Sequence, residues 1–172
     1  MSIAQLIAEA LYLYFPAYVA NAAPVLFGGG RPLDGGRLWR DGRPILGGHK
    51  TLRGVLSALI LGTLTGLAQA YISQNIPIDL PGFSPSIGLL QSLGAILGDL
   101  STSFLKRRLG LKPGSMLPLL DQLGFILAAI ALSYPLQRPT PSLIVAILLL
   151  TLLLHPLTNY IAYLIGLKGE PW

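Results

Sequence analysis

The sequence predicts an all-α integral membrane protein with five transmembrane helices, and three observations predict it. First, 52% of the 172 residues are hydrophobic and only 11% are charged, against roughly 25% charged in a soluble domain. Second, the apolar residues fall in blocks close to the roughly 20 residues that a bilayer-spanning helix needs. Third, the lysines and arginines gather between alternate blocks rather than along the whole chain.

The first block runs over residues 3–26. It lacks a basic leading region, carries Glu9 early and shows no convincing cleavage site, so it reads as a retained span and not as a removed leader. The glycine-rich polar stretch Gly28–Gly48 separates it from the second block, residues 53–72. Pro77, Asp79 and Pro81 interrupt the chain before the third, residues 85–105. A basic run and then Pro113-Gly114 precede the fourth, residues 117–134, and the turn Pro135–Pro141 precedes the fifth, residues 141–167. Pro16 and Pro156 lie inside blocks and predict bends. No repeat of whole spans is visible, so residues 1–172 read as a single membrane domain.

The basic residues set an orientation. Arg31, Arg37, Arg40, Arg43, Lys50 and Arg53 belong to the first connection, Lys106, Arg107, Arg108 and Lys112 to the third, and Lys168 to the tail. Eleven of the twelve thus share one side, with Arg138 the exception. The positive-inside rule makes that side cytoplasmic. The connections 27–52 and 106–116 are then cytoplasmic loops, with the N-terminus outside and the C-terminus inside. The expected location is the cell membrane, multi-pass, with the active site facing the cytoplasm.

Some functions are excluded at once. Without cysteine there is no disulfide, thiolate metal site or thiol nucleophile. The net charge of +5 is interleaved with apolar blocks, which points to cytoplasmic loops or an anionic ligand, not to nucleic acid. Gly42–Thr51 has some likeness to a Walker A loop, but its spacing is wrong and no strand precedes it. The Asp34-Gly35 and Asp41-Gly42-Arg43 segments lack the downstream aspartate pair of the CDP-alcohol phosphotransferases.

Charged groups inside spans are costly and mark function by default. Asp99 lies six residues before the expected end of the third span, roughly 9 Å deep, and Asp121 four residues into the fourth, roughly 6 Å deep. Asn159, His155 and Asn21 approach a similar level. Asp99, Thr102, Ser103 and Lys106 follow i, i+3, i+4, i+7 spacing and share one face, which suits a cavity holding a cation beside an anion. Two uses of the aspartates stay open. They can neutralise Lys106, Arg107 or Lys50 and hold helices together, or they can hold Mg²⁺, which takes one or two carboxylates plus phosphate oxygens.

In the first loop, Gly47 and Gly48 let the backbone approach a ligand closely. Lys50, Thr51 and Arg53 then supply an ammonium, a hydroxyl and a guanidinium at a helix N-terminus suited to phosphate. An ordinary juxtamembrane linker on lipid headgroups is the plainer use of that stretch. Asp34 and Asp41, each before a glycine, read as turn formers. A small anion transporter would also collect basic groups, but near the midplane and with repeats.

Several blocks resemble the CDP-archaeol synthase family, which is akin to the CDP-diacylglycerol synthases. They are Asn21-Ala22-Ala23-Pro24, Leu46-Gly47-Gly48-His49-Lys50-Thr51-Leu52-Arg53-Gly54, Gly98-Asp99 with Ser103 to Arg108, and Leu117-Pro118-Leu119-Leu120-Asp121-Gln122. The resemblance covers nearly the whole chain in order. It implies Mg²⁺-dependent transfer of CMP from CTP to a prenylated glycerol phosphate, 2,3-di-O-geranylgeranylglycerol 1-phosphate, with release of pyrophosphate. An ester phosphatidic acid is the alternative acceptor. Asp99, Asp121 and Lys106 would be catalytic, with both aspartates on the metal. Asn21, Gly47, Gly48, Lys50, Thr51, Arg53, Arg107 and Arg108 would bind the nucleotide. One departure is Gly124, where the family pattern leads one to expect an acidic residue.

Overall fold

The computed structural model describes residues 2–76 and 81–171; the Pro77–Asp79 part of the expected second breaker lies outside them. Five helices follow in order: α1 Ile3–Phe27, α2 Leu52–Asn75, α3 Pro85–Arg108, α4 Leu120–Ser133 and α5 Pro141–Leu164. Local chemistry sets their starts. Ser2 caps α1 in a reciprocal box with Gln5, and Thr51 and Thr140 cap α2 and α5 through their hydroxyls. Prolines at the first turns of α3 and α5 suit positions where no N–H partner is needed.

α3 is the central helix, packed against α1, α2 and α4. Small residues let its backbone approach the neighbours. A Cβ on Gly88 would come 2.6 Å from the Gly66 Cα of α2, and one on Gly98 would come 2.2 Å from the Gly124 carbonyl oxygen of α4. Such small-to-small crossings replace the hydrophobic drive that lipid removes. Polar side chains bridge elsewhere. Gln91 donates to the Leu13 carbonyl (2.8 Å) and to Gln137 Oε1 (2.7 Å), and Tyr18 meets Thr151 at 2.7 Å. Tyr14, Phe125, Ile126 and Ile147 fill the core between α1, α4 and α5.

α1, α2 and α5 are long and apolar enough to cross a membrane. α3 has the length, at 24 residues, but its buried faces carry Gln91, Ser92, Thr102, Ser103 and Arg107 because they meet protein and not lipid. α4 is shorter than the expected 117–134. Pro118 and the left-handed φ of 64° at Leu119 delay its start to Leu120. Its 14 residues extend about 21 Å, short of the roughly 30 Å hydrocarbon core.

Candidate active site

The polar stripe on α3 works as a rail on which three other segments dock. Lys50 Nζ of the first loop donates to both Asp99 oxygens, at 2.7 and 2.6 Å. Ser103 donates to the Leu46 carbonyl of the same loop at 3.2 Å. Thr102 donates to the Leu120 carbonyl at the mouth of α4 at 3.4 Å. Lys106 pairs with Asp121 at 2.7 Å and donates to the Ser115 carbonyl at 3.1 Å. The two hydroxyls are buried and spent on carbonyls, so they do not line an open cavity. The aspartates do pair with lysines, the first of the two uses open from sequence.

The loop that delivers Lys50 is folded by its own residues. Asp34 accepts from the N–H groups of Gly36 (2.9 Å), Leu46 (2.8 Å) and Gly47 (3.2 Å). Burial pushes the Asp34 carboxyl up, but these three donors outweigh it and hold the group below its ordinary value of 3.8. Backbone pairing of Leu33 with Lys50 (2.7 Å) and of Leu52 with Arg31 (3.1 Å) closes the loop base. Thr51 Oγ1 accepts from Gly29 and Gly54, both at 3.2 Å, so the α2 N-terminus is already capped by its own chain. At the far end Arg108 ties the loop to α3. It pairs with Asp41 at 2.6 Å, donates to the Pro44 carbonyl, and lies over the Phe104 and Trp39 rings.

A small cavity of about 50 Å³ opens beside the first ion pair, lined by Asn21, His49, Lys50, Thr51 and Asp99 among others. That is room for one or two waters, so a nucleotide there requires Lys50 and Asp99 to part. Gly47 lies beside Arg107: an added Cβ would stand 3.7 Å from its Nη1. Gly48 is exposed next to it. Arg107 is only 3% exposed, yet its Nε and Nη1 have no hydrogen-bond partner among the described residues, and only Nη2 is seen to be satisfied, by the Lys112 carbonyl at 3.0 Å. Buried donors of that kind are costly unless an acceptor arrives.

Arg53 goes elsewhere. It points onto an apolar groove formed with Phe27, Leu56, Ser57, Ile60 and Leu61, away from the cavity of Lys50 and Asp99. Asp121 also differs from its expected depth. With α4 starting at Leu120 it is the second residue of the helix, at the mouth and not a turn inside, where the helix dipole favours a carboxylate. Its Oδ2 accepts from the Leu117 N–H at 2.7 Å. Asp99 is correspondingly deeper, nine residues before Arg108, or roughly 14 Å along the axis.

α5 supplies the wall. Its His155 stacks on Phe125 at 6.0 Å and meets Asn159 at 3.2 Å. The same ring is within electrostatic range of Asp99, Asp121 and Lys106.

Among the described residues no three His, Cys, Asp or Glu side chains group to hold a metal. Two carboxylates suffice for Mg²⁺ when phosphate oxygens complete the shell. Both are oxygen donors of the kind that ion takes, and here each carries a lysine ammonium. A third carboxylate at position 124 would first have to displace the Thr102 hydroxyl, which lies 2.3 Å from a Cβ placed there.

The fold and this charged cluster define a membrane-embedded helical protein with a polar site at one end of its bundle. A family model described as CarS-like, CDP-archaeol synthase, matches residues 3–172. A CDP-archaeol synthase of Thermococcus gammatolerans is 46% identical over 169 residues, covering 95% of each chain. One of Methanosarcina mazei is 42% identical over 174 residues, covering 91% of this chain and 99% of its own. A solved structure described as an intramembrane enzyme for archaeal membrane lipids biosynthesis matches with a TM-score of 0.78 and 42% identity, covering 89% of this chain and 94% of its own. The chain belongs to the CDP-archaeol synthase family.

Proposed function

We propose that the chain transfers CMP from CTP to 2,3-di-O-geranylgeranylglycerol 1-phosphate, giving CDP-archaeol and pyrophosphate, on the cytoplasmic face of the cell membrane. The observation that carries the chemistry is the convergence of the Lys50–Asp99 and Lys106–Asp121 pairs (2.6 and 2.7 Å) beside the half-satisfied Arg107. Family membership supports CTP and a lipid phosphate as the substrates.

A phosphate oxygen of the lipid attacks the α-phosphorus of CTP. One P–O bond forms, the bond to the β-phosphate oxygen breaks, and pyrophosphate leaves with that electron pair. The attacking oxygen is ionised near neutral pH, so no general base is needed. Lys50 and Lys106 swing from carboxylate to phosphate, an electrostatic role, and Arg107 offers its unmet N–H groups to the nucleotide. Asp99 and Asp121, released by the lysines, are the residues that would hold Mg²⁺, which when bound offsets charge on the phosphate oxygens. Asn21, Gly47, Gly48 and Thr51 border the cavity or the loop that frames it. Arg108 acts through the loop it anchors, and Arg53 lies at the membrane-side groove.

The test is direct. Purified protein in detergent receives CTP, Mg²⁺ and either the ether lipid phosphate or an ester phosphatidic acid, and CDP-lipid is followed. CDP-archaeol formation that stops on chelation is the expected result. No CDP-lipid from either acceptor overturns the reading, and activity unaffected by chelation overturns the metal assignment.

A further inference from the structure

The first loop carries a hairpin that the proposed chemistry leaves unused. Leu38 and Pro44 pair antiparallel. The Trp39 N–H donates to the Arg43 carbonyl at 2.7 Å, and the Ile45 N–H to that of Arg37 at 3.1 Å. Asp41 accepts from the Arg43 N–H at 3.1 Å, and Gly42 takes the left-handed φ of 74° that the turn requires. Every residue from Arg37 to Arg43 is exposed, including Leu38 at 62% and Trp39 at 44%.

The charges of this tip divide into two groups. Asp41 is paired with Arg108, and the Arg43 guanidinium donates to the Arg108 carbonyl. The guanidinium groups of Arg37 and Arg40 have no ion-pair or hydrogen-bond partner among the described residues. Two exposed apolar side chains therefore stand between two free cations in the chain.

Packing on α3 says what meets them. Trp39 lies edge-on to Phe104, with ring centroids 5.3 Å apart, and Arg108 lies over both rings. Phe104 is seven residues beyond Leu97, so the two share a helix face. Leu97 is 51% exposed, and on a membrane-embedded bundle such a face meets lipid. Phe104 stands four residues before Arg108, the last of α3, or roughly 6 Å along the axis. Its contact thus holds Trp39 at the level where the lipid-facing surface ends. Tryptophan favours the headgroup level, and exposed arginines attract anionic headgroups. An acidic soluble protein would suit the arginines but not a tryptophan fixed at the edge of a lipid-facing strip.

We infer that the Arg37–Arg43 hairpin is an interfacial anchor, with Trp39 in the headgroup region and Arg37 and Arg40 on the phosphates of anionic lipids. The assignment goes beyond cytidylyltransfer and does not depend on it. Trp172→Phe in the full chain leaves Trp39 as the one tryptophan. That protein is reconstituted into bilayers that mix plain lipid with phosphatidylcholine or phosphatidylglycerol brominated high in the acyl chains. Quenching of Trp39 then gives the relative affinity of each lipid for the site beside it. Brominated lipid is expected to quench Trp39 more than acrylamide in the water does. Phosphatidylglycerol should be favoured about tenfold, as for two arginines near the surface. The preference should fall to near parity in high salt and when Arg37→Ala and Arg40→Ala are added together. Those two side chains hold nothing within the protein, so quenching by lipid should persist in that variant. Trp39 quenched by acrylamide but not by brominated lipid overturns the anchor. Parity between the two lipids before the arginines are replaced, or an unchanged preference afterwards, overturns the headgroup assignment.

Discussion

α3 and α5 have the same length, 24 residues each, and opposite designs. α3 buries ten residues distributed from Ile87 to Arg107, half of them polar or charged. α5 buries only Leu143, Ile147 and Thr151, all in its first half, and carries Pro156 inside the helix. Yet both bring charge or hydrogen-bonding groups to the same cluster. One helix is fixed on every side by glycine contacts and docked carbonyls. The other is a wall resting on the bundle along half its length. A site built this way has a rigid floor for the polar chemistry and a side that borders lipid.

The largest expected effect tests the chemical half of that contrast. Asp99→Asn on α3 should lower CDP-lipid formation by roughly 100- to 1000-fold, as for loss of a group that stabilises transition-state charge. Asn159→Ala on α5 should cost less than about tenfold. Equal losses in initial-rate assays would erase the distinction between floor and wall.

Stability sharpens the same comparison. Gly98→Ala places a Cβ 2.2 Å from the Gly124 carbonyl oxygen, where the contact is backbone and cannot swing aside. A loss of about 1–3 kcal/mol is expected from such overpacking, read as a lower midpoint in thermal unfolding in detergent. Leu153→Ala, 69% exposed on α5, should change stability by less than about 0.5 kcal/mol. A larger effect at Leu153 than at Gly98 would reverse the assignment of which helix carries the fold.

The smallest effect concerns the loop docked on α3. The Asp34 carboxyl is held below its ordinary 3.8, so the folded loop binds fewer protons than the unfolded chain around that pH. Its contribution is fully present above 3.8 and is lost as pH falls through the lower folded value. With Trp172 replaced by Phe, Trp39 fluorescence should stay level from neutral pH down to about 3.8 and change only below it. A transition well above 3.8 would show that another group controls the loop.

Much of this was legible in the sequence, for identifiable reasons. Composition and block length report the solvent of a helix, so the helical class and its membrane character follow from counting. The block from Leu46 to Gly54 and the run from Gly98 to Arg108 carried the family resemblance. What spacing along one helix cannot report is which segment folds back onto it. Thr102 and Ser103 share a face with Asp99 and Lys106, but only the path of the loops decides that they are consumed by the Leu120 and Leu46 carbonyls. Arg108 is one residue from Arg107, yet one anchors a loop and the other is buried with unmet donors. The late start of α4 depends on one left-handed residue, Leu119, a conformation that leucine does not advertise.

The contact between Gly98 and Gly124 has a consequence for how such a site can change over time. A carboxylate at position 124 would have to displace Thr102, and the same backbone approach forbids a side chain at Gly98. The two positions therefore differ: a side chain at 124 requires Thr102 to turn, whereas one at 98 meets backbone and pries α3 from α4. A third carboxylate at position 124 would thus cost the Thr102 bond to the Leu120 carbonyl, while one at position 98 would cost the helix contact itself.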